Sequence, residues 1–202
     1  ELETFSYAVA HAVRTPLAAI AGFADALEPA LAASGTARDR HYLQRIRANA
    51  ARMEDLTHHL LELGRLTRTP LHRSVVDLSA MAEEVLAHLR EREPQRAVEA
   101  RVEPGLGAWG DAALLRQVLE NLLGNAWKFS SRRPLARIEF GRESRGHAAN
   151  AFFVSDNGEG FDGEHAADLF LPFRRLHDAS DFPGSGVGLA TVQRIVALHG
   201  GE

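Results

Sequence analysis

Leu2, Phe5, Val9, Val13, Ile20, Phe23, Leu27 and Leu31 recur three, four or seven residues apart, a spacing that only a long helix puts on one side. Pro16, read as the one breaker in this run, is expected to kink the helix without ending it, because neighbouring helices can supply packing. After Ser34-Gly35-Thr36 the pattern resumes. Leu43, Ile46, Ala50, Met53, Leu60 and Leu63 lie near heptad spacing, with Arg45, Arg47, Arg52, Glu54 and Asp55 between them. Together the runs predict an antiparallel helical hairpin over residues 1–66. Two helices alone bury little apolar surface, so the expected state is a homodimer whose hairpins form a four-helix bundle.

Thr67-Arg68-Thr69-Pro70 ends the periodicity and reads as a linker, with a second domain over residues 71–202. There the pattern predicts a short strand at Val75-Val76, a helix from about Leu78 to Glu91, and strands at Val98 to Val102 and Ala108 to Gly110. A helix follows from Asp111 to Phe129, with Asp111 as a candidate N-cap. Ala136 to Arg142 and Ala149 to Ser155 alternate as an antiparallel pair joined through Ser144-Arg145-Gly146. The last helix, from about Val187 to His199, stops at Gly200-Gly201. Strands interleaved with helices but joined by hairpins point to an α+β class. The expected layout is the helical hairpin followed by an α/β sandwich with a mixed, mainly antiparallel sheet, not a doubly wound parallel one.

A net charge of −4 and a pI near 6.2 give no bulk reason to seek nucleic acid. Zero cysteines exclude disulfides and thiolate metal sites and fit a reducing compartment, so a cytoplasmic location is expected. The apolar runs are read as broken by charge before bilayer-spanning length, and the N-terminus lacks a basic signal region.

Four elements could carry chemistry. On the helix from Asp111 to Phe129, Leu115, Val118, Leu119, Leu122, Leu123 and Ala126 form one face, while Asn121, Asn125 and Lys128 gather on another. Two amides and an ammonium suit a magnesium ion and the phosphates it bridges; a solvated polar face would use the same residues. Asp156-Asn157-Gly158-Glu159-Gly160 follows the apolar strand Phe152-Phe153-Val154. Its carboxylate can accept from an exocyclic amine such as adenine N6, and its glycines let backbone approach a flat ring; an acidic turn is the plain alternative. Gly184-Ser185-Gly186-Val187-Gly188 opens the last helix, where freed amides can hold a polyphosphate; the alternative is a flexible hinge. It is neither a Walker A loop nor a dinucleotide fingerprint, lacking the following Lys-Ser or Lys-Thr and a preceding strand. His11, two positions from Val9 and Val13, points away from the apolar stripe, and a neutral imidazole is a competent phosphoryl acceptor. No His pair has the spacing of a zinc site.

In order and spacing these elements resemble the boxes of two-component sensor histidine kinases, with similarity to the phytochrome-like members. Phe5 to Leu17 resembles the phosphoacceptor box, Val118 to Phe129 the N box, the Asp156 and Gly184 loops the G1 and G2 boxes, and Leu169-Phe170-Leu171-Pro172-Phe173 the F box. The stretch Phe173 to His177 and the run Gly188 to Val196 carry the phytochrome-like similarity. The resemblance implies a dimerisation and histidine phosphotransfer hairpin followed by a Bergerat-type ATP-binding domain. It implies ATP and Mg2+ as cofactors, Asn125 on the metal, Asn121 and Lys128 toward the phosphates, and Asp156 on adenine. Gly158, Gly160, Gly184, Gly186 and Gly188 would line the nucleotide, and Phe173 and Arg174 would begin a lid. His11 would accept the phosphoryl group and pass it to an aspartate on a response regulator, and Thr15 matches the position used in dephosphorylating that regulator. In the related hydrolytic ATPases a glutamate base resembles the residue at the Asn121 position. An amide cannot take a proton from water, so Asn121 favours transfer to protein.

Two departures stand out. Ala12 occupies the place after the phosphoacceptor where the family typically has Glu or Asp, which implies a weakened autokinase or, alternatively, a nucleotide-binding pseudokinase or scaffold. Family members normally continue into further strands after Gly201-Glu202, so the second domain is expected to be C-terminally incomplete. With no recognisable sensory domain, the input is expected from an upstream domain or subunit.

Overall fold

In a computed structural model, the described residues are 2–66, 70–143, 151–161, 163–172, 182 and 186–202; for 2–12, 14–15, 52, 54–56, 58–66 and 164–167 only the backbone is described. The chain divides into two compact units, Glu1–Thr69 and Pro70–Glu202.

The first unit is a helical hairpin of α1 (Leu2–Ser34) and α2 (Ala37–Leu66). α1 runs through Pro16 and also through Pro29, so the sequence reading missed a second interior proline. Each proline removes one backbone donor, and the packing of a 33-residue helix on its neighbour offsets that loss. Thr36 caps α2 in a reciprocal box: its Oγ1 accepts from the Asp39 amide at 3.2 Å, and its own amide donates to Asp39 Oδ2 at 2.9 Å. The Thr36 side-chain bond, then its backbone bond, hold the Asp39 carboxyl below its ordinary pKa.

The apolar stripe read from the sequence splits in two. Leu17 and Ala24 on α1, with Leu43, Ala50 and Thr57 on α2, are buried, and on each helix they repeat every seven residues. Ile20, Phe23, Leu27, Ile46 and Met53 stay exposed, Phe23 at 72%. One narrow seam therefore closes the hairpin and a second apolar strip is left open. Residues Pro16–Ser34 are, by length and composition, apolar enough to cross a membrane, which corrects the expectation that charge breaks every apolar run before that length. Two acids in that stretch, Asp25 and Glu28, pair with Arg47 of α2 at 3.1 and 2.6 Å, and Leu17 and Ala24 are buried in the hairpin seam.

The second unit is a helix layer on short strands: β1 (Arg73–Asp77), α3 (Leu78–Arg92), β2 (Val98–Val102), β3 (Gly107–Asp111), α4 (Ala112–Phe129), β4 (Ala136–Glu143), β5 (Ala151–Asp156) and α5 (Gly188–Leu198). A 3-10 helix, Gly163–Phe170, was not anticipated. The strands divide between two sheets. β1 pairs antiparallel with β3, while β4 lies between a parallel β2 and an antiparallel β5. The connection between β4 and β5, residues 144–150, lies outside the described residues.

Leu78, Met81, Ala82, Val85 and Leu86 of α3 and Leu119, Leu123, Ala126 and Trp127 of α4 bury against Val76, Ile138 and Phe140. This core holds α4 on the sheet, so that its polar side borders the loop after β5 and the start of α5. Asp111 caps α4 by accepting from the Ala113 and Leu114 amides at 3.1 and 3.2 Å. Burial works to raise the Asp111 carboxyl pKa, but the amide bonds from His72, Leu114 and Ala113 outweigh it and hold the carboxyl below its ordinary value.

The end of α5 is tied to the same corner. His199 Nε2 accepts from the Asp111 amide at 2.9 Å, and its Nδ1 faces Ile195 O at 2.8 Å. A carbonyl only accepts, so Nδ1 carries the proton and both ring nitrogens are used. Gly110 makes room for the ring, since a Cβ there would lie 2.8 Å from His199 Cδ2.

Candidate active site

α4 is the spine of the site. Asn121, Asn125 and Lys128 are all half-buried on it, and Lys128 Nζ donates to Asn125 Oδ1 at 3.2 Å while lying 4.2 Å from the Phe129 ring centre. Asn121 is oriented by its own helix, Nδ2 donating to Gln117 O at 2.8 Å. Its Oδ1 faces the opposite way, toward the first residue of α5. A Cβ on Gly188 would collide with that oxygen, so glycine is what lets the two helices approach here.

The loop after β5 closes on the other end of α4. The Glu159 amide donates to Phe129 O at 3.2 Å, and a Cβ at Gly158 would lie 2.7 Å from the same carbonyl oxygen. Asp156 Oδ1 accepts from the Gly158 amide at 2.7 Å, which turns the chain back on itself. Gly160 and Gly186 both have positive φ, 67° and 75°. Between Asn121 and Phe129 the helix rises about 12 Å, so Gly188 and the Gly158 turn meet it at points separated by roughly that length.

The start of α5 adds its first-turn backbone amides beside Asn121. Val187 at its N-cap makes no side-chain capping bond, so the first-turn amides are not satisfied from that side. With Lys128 and the two asparagine amides, this forms a cradle of donors and carbonyl oxygens suited to a polyphosphate. Among the described residues no group of three or more His, Cys, Asp or Glu gathers. That donor set fits magnesium, which keeps waters and phosphate oxygens and needs one or two protein oxygens; Asn125 Oδ1 is of the right type.

The structure thus brings Gly188 against Asn121 and the Asp156–Gly158 turn against Phe129, with Asn125 and Lys128 between them on the same helix; Gly160 and Gly186 are shown only with positive φ. Phe173, Arg174 and Gly184 lie outside the described residues. His11 and Thr15 lie on α1, with side chains outside the described residues. A cavity of about 380 Å3 lies elsewhere, over the side of the β2–β4–β5 sheet bearing Glu99, Arg101, Arg137 and Glu139. Of the residues in the cradle only Asp156 reaches it, and its two arginines are already paired with Glu99, at 3.0 Å from Arg101 and 3.4 Å from Arg137, so a polyphosphate would meet carboxylates there.

Sequence reading missed three supports of the site. Phe182, buried, meets the edge of Phe129 with ring centres 5.1 Å apart, and Arg132 stacks over Phe182 at 4.9 Å. Asn157 braces the loop to β4: its Oδ1 accepts from the Arg137 amide at 2.8 Å and its Nδ2 donates to Leu135 O at 3.1 Å. Arg133 grips the loop from outside. The Arg132-Arg133-Pro134 run before a strand was the available signal, but basic residues there read equally well as solvated.

Two family models match this arrangement: the His Kinase A (phospho-acceptor) domain over residues 1–69, and the histidine kinase-, DNA gyrase B- and HSP90-like ATPase over residues 110–202. The chain belongs to the histidine kinase family. It is 32% identical over 206 residues to the methanogenesis regulatory histidine kinase FilI of Methanothrix harundinacea, covering 100% of this chain and 23% of that protein. It is 30% identical over 204 residues to cyanobacterial phytochrome B of a Nostoc species, covering 100% of this chain and 27% of the relative. The chain spans about a quarter of the length of these relatives. Among solved structures, full-length ShkA in complex with AMPPNP aligns with a TM-score of 0.64 at 27% identity, over 98% of this chain and 41% of that one. The mycobacterial sensor histidine kinase MprB aligns at 0.52 and 28% identity, over 63% of this chain and 80% of that one. Within this chain, the cradle on α4 lies in the unit that matches the ATPase family model and His11 in the unit that matches the phospho-acceptor model.

Proposed function

We propose that the chain is the catalytic core of a sensor histidine kinase that moves the γ-phosphoryl group of ATP to His11 and then to a response-regulator aspartate. The observation that carries this reading is the seating of Gly188, at the start of α5, against Asn121 and of the Gly158 turn against Phe129, with the Lys128–Asn125 pair between. In this reading Asp156 accepts from the adenine amine, while Lys128, Asn121 and the first amides of α5 receive phosphate oxygens. Asn125 would hold magnesium, which when bound neutralises phosphate charge. One nitrogen of His11 attacks phosphorus as the bond to the ADP oxygen breaks, and the ring proton leaves from the other nitrogen. Positioning and electrostatics supply most of such a transfer. Asn121, an amide, leaves no base for activating water, which disfavours net hydrolysis. Thr15 would serve dephosphorylation of the regulator.

The open strip of Ile20, Phe23, Leu27, Ile46 and Met53 supports a homodimer, with a second hairpin completing a four-helix bundle. The proposed setting is cytoplasmic, downstream of a sensory domain or subunit. Ala12 supports a second reading, a nucleotide-binding scaffold with weak autokinase activity. Incubation with γ-labelled ATP and magnesium decides between them. Acid-labile label mapping to His11 is expected; nucleotide binding without label would favour the scaffold, and phosphate release without label would favour a hydrolase.

A further inference from the structure

We infer that Arg133 is a positioning residue for the adenine-reading carboxylate, acting on Asp156 through two peptide planes. The inference rests on the nucleotide reading of the α4 cradle and names the residue that aims its base-recognising group. Arg133 Nε donates to Asn157 O and Nη2 donates to Gly158 O, both at 2.7 Å. One planar guanidinium thus holds two successive carbonyls, a fork that fixes direction as well as distance.

A trans peptide places its C=O and N–H on opposite sides of one plane. With Asn157 C=O pulled toward Arg133, the Gly158 N–H of the same plane points the other way, at Asp156 Oδ1, 2.7 Å away. With Gly158 C=O held by Arg133, the Glu159 N–H points at Phe129 O, 3.2 Å away. The first plane sets the rotation of the Asp156 carboxylate, and the second ties the loop to α4. Oδ1 is engaged in this way, and Oδ2 is the oxygen left to face a ligand amine.

Arg133 is itself held firmly. Its amide donates to Ser130 O at 3.0 Å, and Ser130, fully buried, donates through Oγ to Ala126 O at 2.6 Å. Pro134 restricts the backbone on the other side. The guanidinium therefore transmits the position of the α4 C-terminus to the loop after β5, on which Asn157 is independently fastened to β4.

The test uses the whole chain with Arg133→Ala and Arg133→Lys. In the nucleotide-free protein, exchange of the Gly158 and Glu159 amides should quicken at least about fivefold in Arg133→Ala, the loss of roughly one hydrogen bond, with the Ala136 amide unchanged. Calorimetric titration with magnesium should show the ATP-to-GTP affinity ratio falling by about fivefold or more, with GTP affinity little altered. Arg133→Lys, which has no fork, should fall between the two. Unchanged exchange at Gly158 and Glu159, or Arg133→Lys matching the native chain, would overturn the inference. A native chain that does not prefer ATP would instead overturn the adenine role of Asp156, while the exchange measurement would still decide the role of Arg133.

Discussion

Gly188 and Asn121 meet where α5 begins against the middle of α4, so closely that a Cβ on residue 188 would overlap Asn121 Oδ1. Asn121 cannot simply swing aside, because its Nδ2 is bonded to Gln117 O at 2.8 Å. The start of α5 and the polar side of α4 are therefore one unit. Gly188→Ala should displace the Asn121 amide and weaken magnesium-ATP binding by about tenfold. In an Asn121→Ala background the same change should cost much less, a coupling of about 1 kcal/mol in a double-mutant cycle by calorimetry. Strict additivity of the two changes would show that the close approach has no bearing on the nucleotide.

Phe23 lies on the open strip of the hairpin and not in the Leu17, Ala24, Leu43, Ala50, Thr57 seam. Phe23→Glu should therefore leave helicity intact by circular dichroism while converting a dimer to a monomer in sedimentation at about 10 μM protein. A native chain already monomeric at that concentration would remove the four-helix bundle.

If His11 accepts the phosphoryl group, as proposed, Ala12 as the next residue in sequence supplies no carboxylate to fix its tautomer and stabilise the positive charge developing on the ring. A positioned acid-base partner is worth roughly 10²- to 10⁴-fold in rate. Ala12→Asp or Ala12→Glu should raise labelling of His11 at least about tenfold without altering ATP affinity, and His11→Ala should abolish labelling in either background. Rapid labelling of the Ala12 chain with no gain from a carboxylate would sink the idea, and label surviving His11→Ala would reassign the acceptor.

Asp111 joins the cap of α4 to the strand pair, and its pKa is depressed in the folded chain. The unfolded chain therefore binds the proton more readily. The stabilisation is present above the ordinary carboxylate value of about 3.9 and is lost as pH falls through the lower folded value. Asp111→Ala should cost about 1–2 kcal/mol at pH 7, the worth of a lost cap. Asp111→Asn, which can still cap, should cost less, and its deficit should shrink toward pH 3 in urea denaturation. A deficit independent of pH would show that the charge is not involved.

Within each unit the elements were largely legible. Heptad recurrence predicted the hairpin, alternation predicted β4 and β5, and Asp111 marked the start of α4, because these signals arise between residues close in the chain. Asn121, Asn125 and Lys128 could be grouped on one side of α4 for the same reason. Pro29 was passed over inside the first helix, where packing on α2 outweighs a local breaker. The division of the apolar stripe into a buried seam and an open strip depends on how two helices face each other, which periodicity alone does not specify.

What the sequence by itself determined, then, is the order and type of the elements and the kinds of chemical group they offer. Tertiary structure alone decided which distant groups meet. The Asp111 amide finds His199 across 88 residues, and Arg133 reaches Asn157 and Gly158 across 24 and 25. Such bonds depend on where carbonyls and amides are left over once the core has packed, and no spacing rule along the chain records that remainder. The same holds for Gly188 and Gly158: glycine in the sequence signals permission for a close approach, and only the folded chain names Asn121 and Phe129 as what approaches.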